Sequence, residues 1–181
     1  MNTRIRKPAL VAFALAALTT AFAGEAAAQQ IECSAPADKV TGVTNPNGYY
    51  LHKKYQVDPD MQPLLTTTIQ SDGGCLIAHL SGQVRITDNY VAFQVRVDGV
   101  PLQGQLPLPL YTKPVVFVAI DSSPVNDDEQ YIDPTKPVSY NFFSRLPRGV
   151  HTVEVLGAAG SNIDPANPPT VTHLVLTLEY R

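Results

Sequence analysis

Three groups of residues carry side chains suited to chemistry. Asp121 heads the run SSPVNDDEQYIDPTK, and Asp121, Asn126, Asp127, Asp128 and Glu129 gather acid in one loop. Ca2+ takes about six to eight oxygens, and a loop dense in carboxylates is one way to supply them. The spacing does not follow the helix–loop–helix calcium pattern. Two readings therefore stay open: a solvated loop, or a Ca2+ site that stabilises a ligand-binding rim. Asp127 or Asp128 with Asp88 or Glu154 would be the pair for glycoside hydrolysis, which needs two carboxyls about 5–10 Å apart. No spacing in the chain brings them together.

The second group is the histidines, His52, His79, His151 and His173. Each stands alone in its strand or loop. His79 and His173 lie opposite the apolar faces of their strands, whereas His151 shares parity with Val153 and Val155 at the rim of a core. Ordinary structural roles are expected for all four, unless two or three converge in space. There is no G-x-S-x-G elbow, no H-E-x-x-H and no glycine-rich phosphate loop. No catalytic residue is assigned and a non-enzyme is expected.

The third group is Cys33 and Cys75, the only cysteines in the chain. In an exported protein an even count reads as one disulfide. It would close a loop of about forty residues and contribute roughly 3–4 kcal/mol. Two buried free thiols are the alternative; a metal pair lacks further ligands nearby. Tyr49, Tyr50, Tyr55, Tyr111 and Tyr131 lie in or beside loops. A ring face covers the apolar side of a sugar, so Tyr111 and Tyr131 are candidate ligand contacts. The chain has no tryptophan, which weakens the case for a sugar platform.

The export reading comes from the start of the chain. Arg4, Arg6 and Lys7 precede an apolar run from Ala9 to Ala23, and Ala26 and Ala28 complete an A-x-A cleavage point. Residues 1–28 are read as a signal peptide, with cleavage after Ala23 as the alternative, and residues 29–181 as a single domain. No other apolar run approaches the length of a membrane span, so no membrane insertion is expected after cleavage. The formal charge of the whole chain is -3, and loss of the leader's basic residues makes the remainder more acidic. Nucleic acid and anionic lipid need clustered Lys and Arg, and neither is expected as a partner.

Positioning these residues falls to strands. Apolar residues alternate in Val91, Phe93, Val95 and Val97, in Leu76, Ala78, Leu80, Val84 and Ile86, and in Leu174, Leu176, Leu178 and Tyr180. Period two marks a strand with one buried face. Gly82 reads as a bulge or close approach, and Asp98-Gly99 as a two-residue hairpin turn. Val115 to Ile120 is apolar on both parities, as in a strand covered on both faces. Ser71-Asp72-Gly73-Gly74 reads as a turn. The stretch Val138 to Leu156 reads as a central β-hairpin closed by Leu146-Pro147-Arg148-Gly149. No segment has a sustained helical repeat. The expectation is an all-β chain: an antiparallel β-sandwich of about eight strands, jelly-roll or Ig-like.

The run Phe142 to Val155, with its aromatic strand, Pro/Gly turn and Gly149-Val150-His151-Thr152-Val153-Glu154-Val155, resembles a closing hairpin of secreted bacterial β-sandwich domains. Val95-Arg96-Val97-Asp98-Gly99 resembles a companion feature. The resemblance implies an extracellular binding module or adhesin and assigns no catalytic or binding residue. Taken together, the expected function is recognition of an extracellular glycan or protein, in the periplasm or outside the cell. The loops Gln105–Pro114, Asp121–Lys136 and Gly157–Pro169 would form the rim. The alternative is a structural or assembly subunit of a surface layer or appendage, with a terminal strand completing a neighbour's sheet.

Overall fold

The alternation is realised as strands throughout. The computed structural model describes residues 32, 36–53, 61–86, 90–105, 114–119, 135–160 and 166–181. The chain falls into two compact units, Met1–Gln30 and Ile31–Arg181, and all described residues belong to the second. The strands are β1 (Lys39–Asn45), β2 (Tyr49–Tyr50), β3 (Gln62–Arg85), β4 (Tyr90–Val97), β5 (Val100–Pro101), β6 (Val116–Ala119), β7 (Thr135–Ala159) and β8 (Thr170–Tyr180). Every pairing is antiparallel, and the order is β1-β8-β3-β7-β4-β5, with β2 on β8 and β6 on β4. There is no helix among the described residues. The protein is an antiparallel β-sandwich.

One hydrogen-bonded sheet becomes two layers because β3 and β7 pass through both. The first half of β3 pairs with the last half of β7, and β4 pairs there with β7. The second half of β3 pairs with the first half of β7 and, on its other side, with β8. One layer is therefore β5 and β6 on β4, then β7 and β3; the other is β1 and β2 on β8, then β3 and β7. Leu76, Ala78, Leu80, Phe142, Leu174, Leu176 and Leu178 from one layer share a buried cluster with Val91, Phe93, Val95, Val153 and Val155 from the other. Burying each of these valine, leucine and phenylalanine side chains stabilises by about 1.5–3 kcal/mol. The Tyr140 hydroxyl donates to the Phe117 carbonyl at 2.8 Å, joining β7 of the second layer to β6 of the first.

Two expected turns prove to be one corner. Leu146-Pro147-Arg148-Gly149 does not close a hairpin, and β7 runs unbroken from Thr135 to Ala159. Nor does Ser71 to Gly74 reverse the chain, since β3 continues to Arg85. Asp72 stands opposite Arg148, and Gly74 opposite Leu146. Gly73 has φ +92° and Gly74 φ +133°, values that L side chains resist. Turn residues report what the local backbone can adopt, not what lies beside it. With a partner strand alongside, the same permissive residues bend the ladder from one layer to the other.

The remaining detail follows residue chemistry. Asp98 (φ +50°) and Gly99 (φ +82°) form the expected hairpin turn between β4 and β5. At Gly82 the β3–β8 register shifts. A Cβ there would lie 3.2 Å from Leu174 Cδ1 and 3.3 Å from the Thr172 carbonyl, the expected close approach. Opposite the shift, His173 takes φ +53°. Gln94, expected on a wet face, is buried, and its Nε2 donates to the Pro114 carbonyl at 2.8 Å. The cause is a second, smaller cluster of Met61, Ala92, Val115, Leu156 and Ala158 on the back of the first layer. After β1 only Tyr49–Tyr50 pairs, on β8; residues 54–60 lie outside the described residues.

Candidate functional site

The acidic loop residues Asp121, Asn126, Asp127, Asp128 and Glu129 lie outside the described residues, as do Tyr111, Tyr131 and Cys33. Of the three loops expected to form a rim, residues 106–113, 121–134 and 161–165 lie outside the described residues as well, while Thr135, Lys136 and Gly157 to Ala159 belong to β7 and not to loops. Cys75 is described: its Sγ lies 3.9 Å from the Glu32 carbonyl oxygen, and no described cysteine is free. Glu154, one half of the carboxylate pairs considered for hydrolysis, is held by Arg96 Nε at 2.7 Å. Among the described residues no three His, Cys, Asp or Glu side chains gather as a metal site would require, and no helix is long and apolar enough to cross a membrane.

The four histidines meet four different surroundings. His52 is exposed beside the Tyr50 ring. His173 is exposed on β8. His151 is buried, with 6% of its surface exposed. Its Nδ1 lies 2.7 Å from Asp98 Oδ2 and its Nε2 lies 2.9 Å from the Pro147 carbonyl oxygen. Asp98 also accepts from the Thr152 amide at 2.9 Å through Oδ1. A histidine beside an aspartate is the start of a nucleophile-activating array. Here the second ring nitrogen faces a carbonyl oxygen and has no hydroxyl or thiol to deprotonate. The pair binds parts of the fold together. The Asp98 hydrogen bond, joined by that to Pro147, raises the pKa of His151 above its ordinary value; the same contact to His151, with the Thr152 amide, lowers that of Asp98.

His79 is placed for contact with solvent. It lies on the outer face of the second layer, where cross-strand register fixes its neighbours. One row runs Gly42, Thr177, His79, Asn141 across β1, β8, β3 and β7. The row on one side runs Thr44, Val175, Ser81, Ser139; that on the other runs Val40, Glu179, Ile77, Phe143. All twelve are exposed or half-exposed, with Val40 at 71% and Phe143 at 37%. His79 Nδ1 lies 2.6 Å from Asn141 Oδ1. A carboxamide oxygen only accepts, so Nδ1 donates. Nε2 of the neutral ring then accepts and Asn141 Nδ2 donates, side by side and without a further hydrogen-bond partner among the described residues. Same-face neighbours on a strand lie about 7 Å apart, which sets the Phe143 ring and Ile77 one row from this pair. The Arg145 guanidinium, one row further on, donates to the Glu32 carbonyl at 2.8 Å, so the chain leading to β1 borders the face.

Period two places His79 and Asn141 each on an outer face. Their meeting could not be read from the chain, because they are separated by 62 positions and the predicted hairpin set the wrong register for β7. Gln105 was missed for a related reason. Its side chain is buried and bonds the Val95 amide, the Val95 carbonyl and the Leu102 carbonyl at 2.7–3.0 Å. In sequence it is one more polar residue at the mouth of a proline-rich loop.

No protein-family model matches the chain, and no curated protein matches it. Solved structures similar in shape include the EclA C-terminal domain, a sugar-binding protein. It has 11% identity and a TM-score of 0.41, over 85% of this chain and 87% of that one. The Eiger TNF from S. frugiperda has 13% identity and a TM-score of 0.42 over 81% and 94%. A structure of infectious bursal disease virus, Gx strain, has 11% identity and a TM-score of 0.42 over 80% of this chain and 34% of that one.

Proposed function

We propose that the protein is an exported, non-catalytic recognition module that binds a hydroxyl-rich ligand, a glycan, on the outer face of its second layer. The His79–Asn141 pair carries this reading. A sugar hydroxyl both donates and accepts; it can donate to His79 Nε2 while accepting from Asn141 Nδ2. The half-exposed Phe143 ring one row away offers apolar area to the C–H face of a pyranose. The sheet is a rigid platform, so little ordering cost opposes binding. Export rests on the basic and apolar start of the chain and its A-x-A site.

Glycan-array screening followed by calorimetry on the purified protein tests the site. Asn141→Ala, His79→Ala and Phe143→Ala should each weaken binding by about tenfold or more, the scale of a central contact, while the circular-dichroism spectrum stays that of a β protein. Full binding by all three variants would remove this face from consideration and return the role to the loops. N-terminal sequencing of the exported protein tests localisation: Gln29 is the expected first residue, and retention of Met1 in the cytoplasm defeats the export reading.

A further inference from the structure

We propose that His151 is a protonation-gated latch, closed when its ring carries both protons, that fastens the β4–β5 hairpin and the fold-over corner of β7 to each other. The geometry demands two donors from one ring. Asp98 Oδ2 lies at 2.7 Å from Nδ1 and the Pro147 carbonyl oxygen at 2.9 Å from Nε2, and a carboxylate and a carbonyl can only accept. A neutral imidazole has one N–H, so one of the two acceptors would face a lone pair. Only the imidazolium satisfies both.

The latch ties three places. Pro147 belongs to the corner where β7 changes layer, opposite the Asp72 and Gly74 region of β3. Asp98 belongs to the hairpin turn, and it is fixed further by two backbone-linked bonds: its amide donates to the Thr152 carbonyl at 2.9 Å, and its Oδ1 accepts from the Thr152 amide at 2.9 Å. The His151 side chain is buried whereas that of Asp98 is half-exposed, so water can reach the carboxylate but does not readily take its place at the ring. On β3, packed alongside, the register partner of His151 is Ile69, flanked by Thr68 and Gln70, none of them charged. Among the described residues Asp98 is the one charged side chain acting on the ring. The same contacts that define the latch hold the His151 pKa above its ordinary 6.5. Loss of the proton as pH rises through the folded value then loosens the hairpin and corner together, leaving the two layers joined through β3.

Nuclear magnetic resonance on the full chain after leader removal decides the matter. Below pH 6.5 the nitrogen shifts of His151 should be those of a doubly protonated ring, and they should stay so into the range where an unfolded histidine has already lost its proton. The protection factor of the Thr152 amide against hydrogen exchange should fall as pH rises through the folded pKa. Each unit by which that pKa exceeds the unfolded value corresponds to about tenfold in the opening equilibrium. The Val95 amide, bonded to neutral Gln105 at 3.0 Å, serves as control and should keep its protection factor. Asp98→Asn retains a residue suited to the turn and should make Thr152 protection independent of pH across the range in which it changes in the parent; His151→Gln should do the same. The proposal is overturned if His151 titrates at or below the value of an unfolded histidine. Equal Thr152 protection on both sides of its titration, or an unchanged pH dependence in Asp98→Asn, would overturn it as well.

Discussion

Asp72 stands opposite Arg148 at the point where both long strands leave one layer for the other. Lys39 Nζ reaches the same carboxylate at 2.6 Å, and the Asp72 amide donates to the Arg181 carbonyl at 2.6 Å. The side chains here are exposed, so the ion pair itself contributes little. The backbone supplies the corner. Gly73 at φ +92° has Arg148 N 3.4 Å from where a Cβ would sit. Gly73→Ala should cost about 1–3 kcal/mol, read as a lower denaturant midpoint with unchanged slope. A loss below about 0.5 kcal/mol, the range of an ordinary surface substitution, would mean the corner is not held at this glycine.

A pair of glycine substitutions separates backbone demand from open space. Gly104 has φ +98°, and a Cβ there would lie 2.9 Å from the Asn141 carbonyl oxygen. That contact is with backbone, which cannot swing aside. Gly42, in β1, has nothing within 4 Å. Gly104→Ala should destabilise by about 2–4 kcal/mol, through strain and overpacking together. Gly42→Ala should stay within about 0.5 kcal/mol of the parent. Equal midpoints for the two variants would contradict the packing of residue 104 on β7.

Stability should form a plateau in pH bounded by the latch. The raised pKa of His151 means that its contribution is complete below pH 6.5 and is lost as pH climbs through the higher folded value. The lowered pKa of Asp98 means that its contribution is complete above pH 3.8 and is lost as pH drops through the lower folded value. Thermal midpoints of the wild type should fall on both sides, and those of Asp98→Asn should vary less at each limb. A wild-type profile that rises toward alkaline pH would contradict the assignment for His151.

The first half of β3 has one strand neighbour among the described residues, β7, and an open edge invites pairing with another chain. Side chains guard it. Lys39 Nζ donates to the Gln70 carbonyl at 3.3 Å, and the Tyr49 hydroxyl donates to the Leu64 carbonyl. The parent should therefore run as a monomer in size-exclusion chromatography with light scattering. Lys39→Ala combined with Tyr49→Phe should associate as concentration rises. Assembly of the parent itself would favour the alternative role as a structural subunit.

For the disulfide, peptide mapping of unreduced protein should recover Cys33 linked to Cys75, and reduction should lower stability by roughly 3–4 kcal/mol. Two alkylatable thiols in the exported protein would rule the bridge out.

Where a single residue decides its own surroundings, the sequence is a good guide. Alternation alone picked out Val91, Phe93, Val95 and Val97, all buried, because side-chain direction in a strand depends only on parity. Asp98-Gly99 announced its turn because positive φ at two successive positions has few other uses. What stayed hidden depends on distant partners. Pro147-Arg148-Gly149 looked like a reversal until β3 was placed beside it. Gln94 looked wet until Met61 and Val115 covered the back of its strand. The His79–Asn141 pair depends on the register of β3 against β7 over the whole length of both, and that register is set by a corner that the chain writes in the vocabulary of turns.

Because β3 and β7 belong to both layers, the sandwich has no internal boundary along which it could come apart. Its halves share covalent backbone as well as a core, so neither can melt while the other stays whole, and unfolding should proceed as one cooperative event. For the same reason, tension applied to the outer face around His79 is carried lengthwise through β7 to the far layer, which gives the molecule a mechanical continuity that two separately folded sheets pressed together would lack.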